Sequence, residues 1–302
     1  MNDIKQDNLI FKIFPSFTHP YISLMRLDRP IGYLLLFYPI SFSLASYKNL
    51  DQYLLIKYLI LFFIGSVVMR SAGCIVNDIL DINIDKKVNR TKSRPLASSQ
   101  ISIFNAYIVL ALLLLIGFLI LINLNMQSII LGLIILPLII LYPLAKRYFL
   151  LPQLVLAITY NWGCIIGWTA INSPYKFQNI ILLYISLIIW TLIYDTVYAA
   201  QDEEEDREMN LNSSAILFGS KKLLILNSLL TTQYSLLIIY GSAMDYNFIF
   251  YLIISLIFLL NLLDINLLWK NNKEYSGQYF KRNNYYGFLI LLSIIVGSQF
   301  NV

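Results

Sequence analysis

Carboxylates are scarce in this 302-residue chain, and most of them gather at two places. Asp78, Asp81 and Asp85 close an apolar stretch that begins near Leu54; Asp195, Asp202, Glu203, Glu204, Glu205, Asp206 and Glu208 close another that begins near residue 178. Projected at about 100° per residue, Asn77, Asp81, Asp85 and Asp78 spread over about 100° of arc, roughly one helical face. In the same projection Asp195, Asp202 and Asp206 lie within about 40° of one another. Each set therefore forms a stripe from an apolar interior to its polar end.

Such a stripe is costly. Two carboxylates ~6 Å apart repel by about 3 kcal/mol at an effective dielectric of ~20, and Asp195 sits about two turns inside its apolar run. Either some of these acids are protonated or cations sit between them. Asp and Asn oxygens at i, i+4 suit Mg²⁺, which keeps several waters and takes further ligands from substrate phosphates. Two stripes facing each other would hold a diphosphate through bridging Mg²⁺. The cations behind the first stripe, Lys86, Lys87, Arg90, Lys92 and Arg94, would balance the phosphate charge. The plainer alternative is a solvated loop at a helix end. It fits Glu203, Glu204, Glu205, Glu208, Lys86 and Lys87 better than it fits Asp81, Asp85, Asp202 and Asp206.

The elements that must position these residues follow from composition. With 58% hydrophobic and 13% charged residues and a mean hydropathy of +0.68, the chain carries more apolar surface than a soluble fold of its size hides. Runs of roughly 18 apolar residues recur, each long enough as a helix to cross a ~30 Å hydrocarbon core. Backbone groups in lipid must be bonded within their own segment, and alternating barrel strands are missing. The expectation is an all-α polytopic membrane protein with spans near 31–47, 54–80, 103–124, 127–143, 151–171, 178–200, 221–241, 246–269 and 285–300. The acidic clusters then lie four spans apart, a hint of two four-helix halves plus one helix. Eighteen of the 22 Lys and Arg fall in the N-terminal segment or in the loops near 82–102, 144–150, 201–222 and 270–284, which places those segments in the cytoplasm.

The first thirty residues carry charges and no sustained apolar core, so they read as a cytoplasmic, interfacial segment rather than a secretory signal. They also lack the Arg- and Ser-rich character of a transit peptide. Cys74 and Cys164 fall inside spans, which argues against a disulfide and against metal-ligand spacing. The single histidine, His19, reads as an interfacial packing residue.

Five co-linear segments carry a resemblance. Asn77, Asp81 and Asp85 stand in an N-x-x-x-D-x-x-x-D pattern flanked by "MRSAGCIVND" and "NRTKSRPL"; Asp202 and Asp206 stand in D-x-x-x-D within "YDTVYAAQDEEED". "RLDRPIGYLLLFYP", "YPLAKRYFLLPQ" and "SSAILFG" complete the set. From about residue 20 to "NNYYGF" the chain resembles the UbiA family of intramembrane aromatic prenyltransferases, and within it the members that act on 4-hydroxybenzoate. The resemblance implies one domain over 1–302, with about nine helices around a central cavity open to the cytoplasm and to lipid. It also implies Mg²⁺-dependent transfer of a prenyl chain from polyprenyl diphosphate to the carbon ortho to the phenol of 4-hydroxybenzoate, a step of ubiquinone biosynthesis in the bacterial inner membrane. No nucleic acid and no obligate protein partner is implied.

By that resemblance Asn77, Asp81, Asp85, Asp202 and Asp206 hold Mg²⁺ and diphosphate, with Asp78 either a ligand or a neighbour of one. Arg90 and Arg94 are candidates for phosphate contact. Arg147 matches the family arginine proposed to take the benzoate carboxylate, with Lys146 beside it and Tyr194 in the "YDT" segment; a membrane-surface anchor is the other reading of Arg147 and Lys146. Asp195 either accepts the phenol proton or orients a neighbour. Arg70 is either a functional intramembrane cation or half of an ion pair with Asp195 or Asp28. Arg26 and Arg29 either help close the cytoplasmic mouth or anchor the helix. Glu203 departs from the family pattern, which often has a basic residue there, and adds negative charge beside the metal site. The competing readings are a relative with another acceptor (homogentisate, dihydroxynaphthoate or haem) and a divalent-cation or phosphate transporter. A transporter should place its ionisable residues near the midplane, reachable from both sides, whereas here they crowd one side. A soluble diphosphate synthase would have a soluble composition.

Overall fold

The computed structural model describes residues 9–47, 50–88, 91–172, 176–270 and 274–299, with the backbone alone for 268–270, 274 and 299. Helices are the only regular elements among the described residues. Six are long and apolar enough to cross a membrane: Gln52–Leu80, Ile103–Leu121, Met126–Tyr148, Phe177–Ala199, Ser214–Ala243 and Phe248–Leu267. The chain is an all-helical, multi-pass membrane protein. Six of the nine expected crossings are thus met by one long apolar helix each. The other three differ for identifiable reasons. Pro30–Ala45 has only 16 residues, about 24 Å at ~1.5 Å per residue. The segment expected at 151–171 is two helices, Pro152–Asn161 and Gly163–Ala170, broken at Trp162. The last helix, Glu274–Gln299, begins far before the expected 285 with a polar half that no hydropathy window counts as a span.

The chain divides into two compact units. One comprises Met1–Leu34 and Ile60–Leu124, the other Leu35–Leu59 and Asn125–Val302. In the first, Leu24, Val68, Ala72, Ile75, Leu96, Ile101, Ala106 and Leu113 form one core. Leu96 and Ile101 show that the segment after the cationic run is packed, not solvated; both Gln100 N and Ile101 N donate to Pro95 O. Ser102 then caps the Ile103–Leu121 helix by accepting from Asn105 N at 3.1 Å, which satisfies one of the orphan donors of a helix start.

In the second unit the largest fully buried side chains include Trp190, Phe42, Tyr240, Tyr279 and Phe250. Apolar burial gives little specificity between helices in lipid, so polar contacts and small residues do more of the matching. Trp190 Nε1 donates to Asn283 Oδ1 at 2.8 Å, Tyr279 OH to Asn261 Oδ1 at 2.7 Å, and Tyr38 OH to Asn284 Oδ1 at 2.9 Å. Asp264 holds the final hairpin by accepting from Arg282 and Tyr286. Gly287 lets the last helix approach closely: a Cβ there would meet Tyr38 at 2.6 Å and Trp190 at 2.9 Å. Gly287→Ala should therefore overpack this crossing and cost about 1–3 kcal/mol, read as a lower thermal midpoint in detergent. Gly73→Ala, where a Cβ meets nothing within 4 Å, should leave the midpoint unchanged or raise it.

Candidate active site

The first acidic turn lies wholly in the first unit. The Gln52–Leu80 helix ends one residue before Asp81, whose φ of −101° and ψ of 10° open a one-turn helix, Ile82–Asp85. The four-residue steps survive this break, because Asp81 N donates to Asn77 O at 2.9 Å and Asp85 N to Asp81 O at 2.8 Å. Two guanidiniums occupy the carboxylates beside Asp81. Arg26 Nη2 donates to both oxygens of Asp78 at 2.9 Å. Arg94 Nη1 reaches Asp78 at 3.2 Å and both oxygens of Asp85 at 3.1 and 3.0 Å. Asp78 and Asp85 are 1% and 5% exposed, deep enough that the arginines must offset their desolvation. Burial pushes the Asp85 carboxyl above the ordinary value while Arg94 pulls it down. Arg26 itself adopts φ 56°, its Nη1 donating to Ser23 O at 2.5 Å, and Ser71 Oγ ties the same loop to the helix through Met25 O at 3.0 Å. Arg26 neutralises Asp78.

The second acidic turn lies in the second unit and repeats the device. Asp202, with φ −101° and ψ 9°, opens the short helix Glu203–Glu208, and Asp206 N donates to Asp202 O at 2.8 Å. Asp206, like Asp85, is buried at the fourth position. The helical register projected from Asp195 to Asp202 does not hold, however. Phe177–Ala199 ends first, and Gln201 and Asp202 bond three residues back instead of four, so the tighter turn resets the face. Glu203, expected to unbalance this turn, is neutralised locally: Lys222 Nζ lies 2.5 Å from one oxygen and Arg207 Nη2 3.0 Å from the other. Burial alone would raise the Glu203 carboxyl, but Lys222 and Arg207 hold it below the ordinary value.

The remaining candidates fall as follows. Lys146 and Arg147 are exposed on the short helix Ala145–Tyr148, and Lys146 O accepts from Asn212 N at 2.9 Å, just past the second acidic turn. Asp195 is half-buried one turn before its helix ends. Tyr194 is 2% exposed, its ring edge-on to Trp190 and Phe280 at 5.6 and 5.7 Å, a packed aromatic rather than an open wall. Arg70 lies against Gly32, whose added Cβ would sit 2.8 Å from Nε. Asp28 accepts from Arg29 Nε at 3.2 Å. Arg90 lies outside the described residues. The pairing of Arg26 with Asp78 and of Lys222 with Glu203 leaves no mark in the sequence. A basic residue at the polar end of an apolar helix is indistinguishable by pattern from a headgroup anchor.

Residues 34–290 match the UbiA prenyltransferase family. The chain belongs to that family. It is 37% identical over 294 residues to the mitochondrial 4-hydroxybenzoate polyprenyltransferase of Drosophila pseudoobscura pseudoobscura, covering 97% of this chain and 74% of that one. It is 44% identical over 248 residues to the 4-hydroxybenzoate octaprenyltransferase of Francisella tularensis subsp. mediasiatica, covering 80% and 85%. Among solved structures, the apo UbiA homolog from Aeropyrum pernix K1 is 25% identical with a TM-score of 0.71, over 88% of this chain and 97% of that one. The UbiA homolog from Archaeoglobus fulgidus bound to GPP and Mg²⁺ is 16% identical with a TM-score of 0.67, over 90% and 99%.

The donor set of this UbiA prenyltransferase fits Mg²⁺ shared with phosphate better than a metal in an all-protein cage. Among the described residues no three or more His, Cys, Asp or Glu converge on a metal. Mg²⁺ dehydrates reluctantly and is usually bound by one or two carboxylates, waters and substrate phosphates, and each turn offers its carboxylates in just such small groups. The Glu203–Lys222 pair gives a direct test. A carboxyl held below its ordinary value of 4.5 contributes stability that is present above that value and lost as pH falls through the folded value. Lys222→Met should therefore lower the thermal midpoint at neutral pH, and its deficit against wild type should shrink as the pH is taken well below 4.5.

Proposed function

We propose that this chain transfers a polyprenyl group from its diphosphate to the ring carbon ortho to the phenol of 4-hydroxybenzoate. The observation that carries this reading is the 44% identity to a protein of that activity over 248 residues, a stretch of chain that spans both acidic turns. The chain forms one prenyltransferase domain in a bacterial inner membrane, with the N-terminus and the acidic turns on the cytoplasmic side. The relatives include mitochondrial proteins, and the orientation within the membrane rests on the one-sided bias of Lys and Arg.

Asn77, Asp81, Asp85, Asp202 and Asp206 would hold Mg²⁺ and the diphosphate. The chemistry supplied by bound Mg²⁺ is neutralisation of charge on the departing diphosphate. Arg94 and Arg90 add cationic donors to the phosphates. Breaking the allylic C1–O bond leaves the electron pair on diphosphate and an allylic cation on carbon, which the surrounding apolar helices shield from water. Arg147 takes the acceptor carboxylate in a forked pair and so orients the ring. The ortho carbon attacks C1 as the phenol proton passes to Asp195; the ring proton at that carbon then leaves to the departed diphosphate, which restores aromaticity, and Asp195 returns its proton to the phenolate oxygen.

Purified protein with Mg²⁺, a polyprenyl diphosphate and 4-hydroxybenzoate should give the 3-polyprenyl product, and chelation should stop the reaction. No such product with any chain length, while homogentisate or dihydroxynaphthoate reacts, would overturn the acceptor. Asp81→Asn and Asp202→Asn should each cut kcat by at least about a hundredfold, the scale of a lost electrostatic stabiliser, in protein that still folds. Retained turnover in either overturns its role in holding Mg²⁺ and diphosphate. Arg147→Ala should raise KM for 4-hydroxybenzoate far more than KM for the diphosphate.

A further inference from the structure

Residues 145–153 and 202–214 belong to the same unit, and a short segment, 211–214, stitches them together. Leu211 N donates to Asp206 O at 2.8 Å, and Asn212 N to Lys146 O at 2.9 Å. Ser214 N donates to Gln153 Oε1 at 2.8 Å, and the Ser214 hydroxyl lies 2.6 Å from Thr196 Oγ1. Thr196 is the neighbour of Asp195. The segment thus touches, in order, the second acidic turn, the loop that carries Arg147, the start of the helix behind that loop, and the helix that carries Asp195.

The Arg147 loop needs such an outside hold. Residues 146–150 are all exposed, so burial of their side chains does little to hold the loop in place. Buried Ala145 leads into it, and buried Pro152 and Gln153 lead out. Ser214 opens the helix Ser214–Phe218, where the first amides have no partner within the helix. Its N–H is buried, and a buried donor left unmet is expensive. Gln153, 3% exposed, meets it from 61 residues upstream.

We propose that Gln153 is a positioning residue, which sets the Arg147 loop against the Asp202–Asp206 turn and so holds the acceptor ring in register with the allylic carbon. The inference rests on Arg147 as the acceptor-carboxylate residue and deepens that assignment. A side chain here needs an acceptor oxygen at the reach of Gln. Leu keeps the bulk without the oxygen, Asn is one methylene short, and Glu keeps both reach and oxygen.

Steady-state kinetics of Gln153→Leu, Gln153→Glu and Arg147→Ala test it. Gln153→Leu should raise KM for 4-hydroxybenzoate about tenfold, the scale of one lost hydrogen bond, with KM for the diphosphate unchanged. Gln153→Glu should restore most of the difference. A merely structural role would lower the thermal midpoint and kcat with no split between the two KM values, and that outcome overturns the proposal; so does a Gln153→Glu enzyme as impaired as Gln153→Leu. If Arg147→Ala raises the acceptor KM and Gln153→Leu does not, the positioning role falls and the acceptor site stands. If neither raises it, both fall. Should Gln153→Leu fail to accumulate in membranes, Gln153→Asn makes the same measurement.

Discussion

A carboxylate beside hydrocarbon must be answered by a cation or a strong donor, and the described parts of this fold are organised around that constraint. Asp78 and Asp85 are answered by Arg26 and Arg94, Glu203 by Lys222 and Arg207, and Asp264 by Arg282 and Tyr286. Most of these partners come from other elements: Arg26 lies 52 residues from Asp78, Lys222 19 from Glu203, and Arg282 18 from Asp264. Neutralising a charge and stitching two helices are therefore one interaction. Removing either partner of a buried pair strands the other, at about 3–5 kcal/mol.

The same constraint shapes the chemistry. An enzyme that ionises a diphosphate needs negative side chains for its metal and positive ones for its phosphates, all held before substrate arrives. The two acidic turns have a shared local build. A helix ends, Asp81 or Asp202 opens a new turn at nearly identical dihedrals, and the fourth residue on, Asp85 or Asp206, is buried. The same backbone, burial and spacing thus recur once in each of the two compact units.

Packing in the second unit follows the rule for helices that have no apolar advantage over lipid. Buried Asn283, Asn261 and Ser46 take hydrogen bonds from Trp190, Tyr279 and Tyr240 across helices, and Gly163, Gly241 and Gly287 leave room for large side chains of neighbouring helices. Polar contacts of this kind specify which helices meet and at what height, and that precision is needed where Tyr194, Asp195 and Thr196 follow one another on a single helix.

The apolar runs made the all-helical membrane class legible, because lipid admits no other continuous backbone here. The spacing of Asn77, Asp81 and Asp85, and of Asp202 and Asp206, likewise marked the acidic turns, since four-residue steps share a face in any helical turn. The sequence alone did not show where helices stop. The breaks at Asp81 and Ala199 carry no proline or glycine, and the second of them resets the face between Asp195 and Asp202. Nor did it show which cation answers which acid. Arg26, Arg94 and Lys222 look alike as basic residues near apolar helix ends, and only tertiary packing decides which of them stands within 3 Å or so of a carboxylate. Gln153 illustrates the limit most plainly: nothing local distinguishes it, because the donor it satisfies belongs to a helix start 61 residues away.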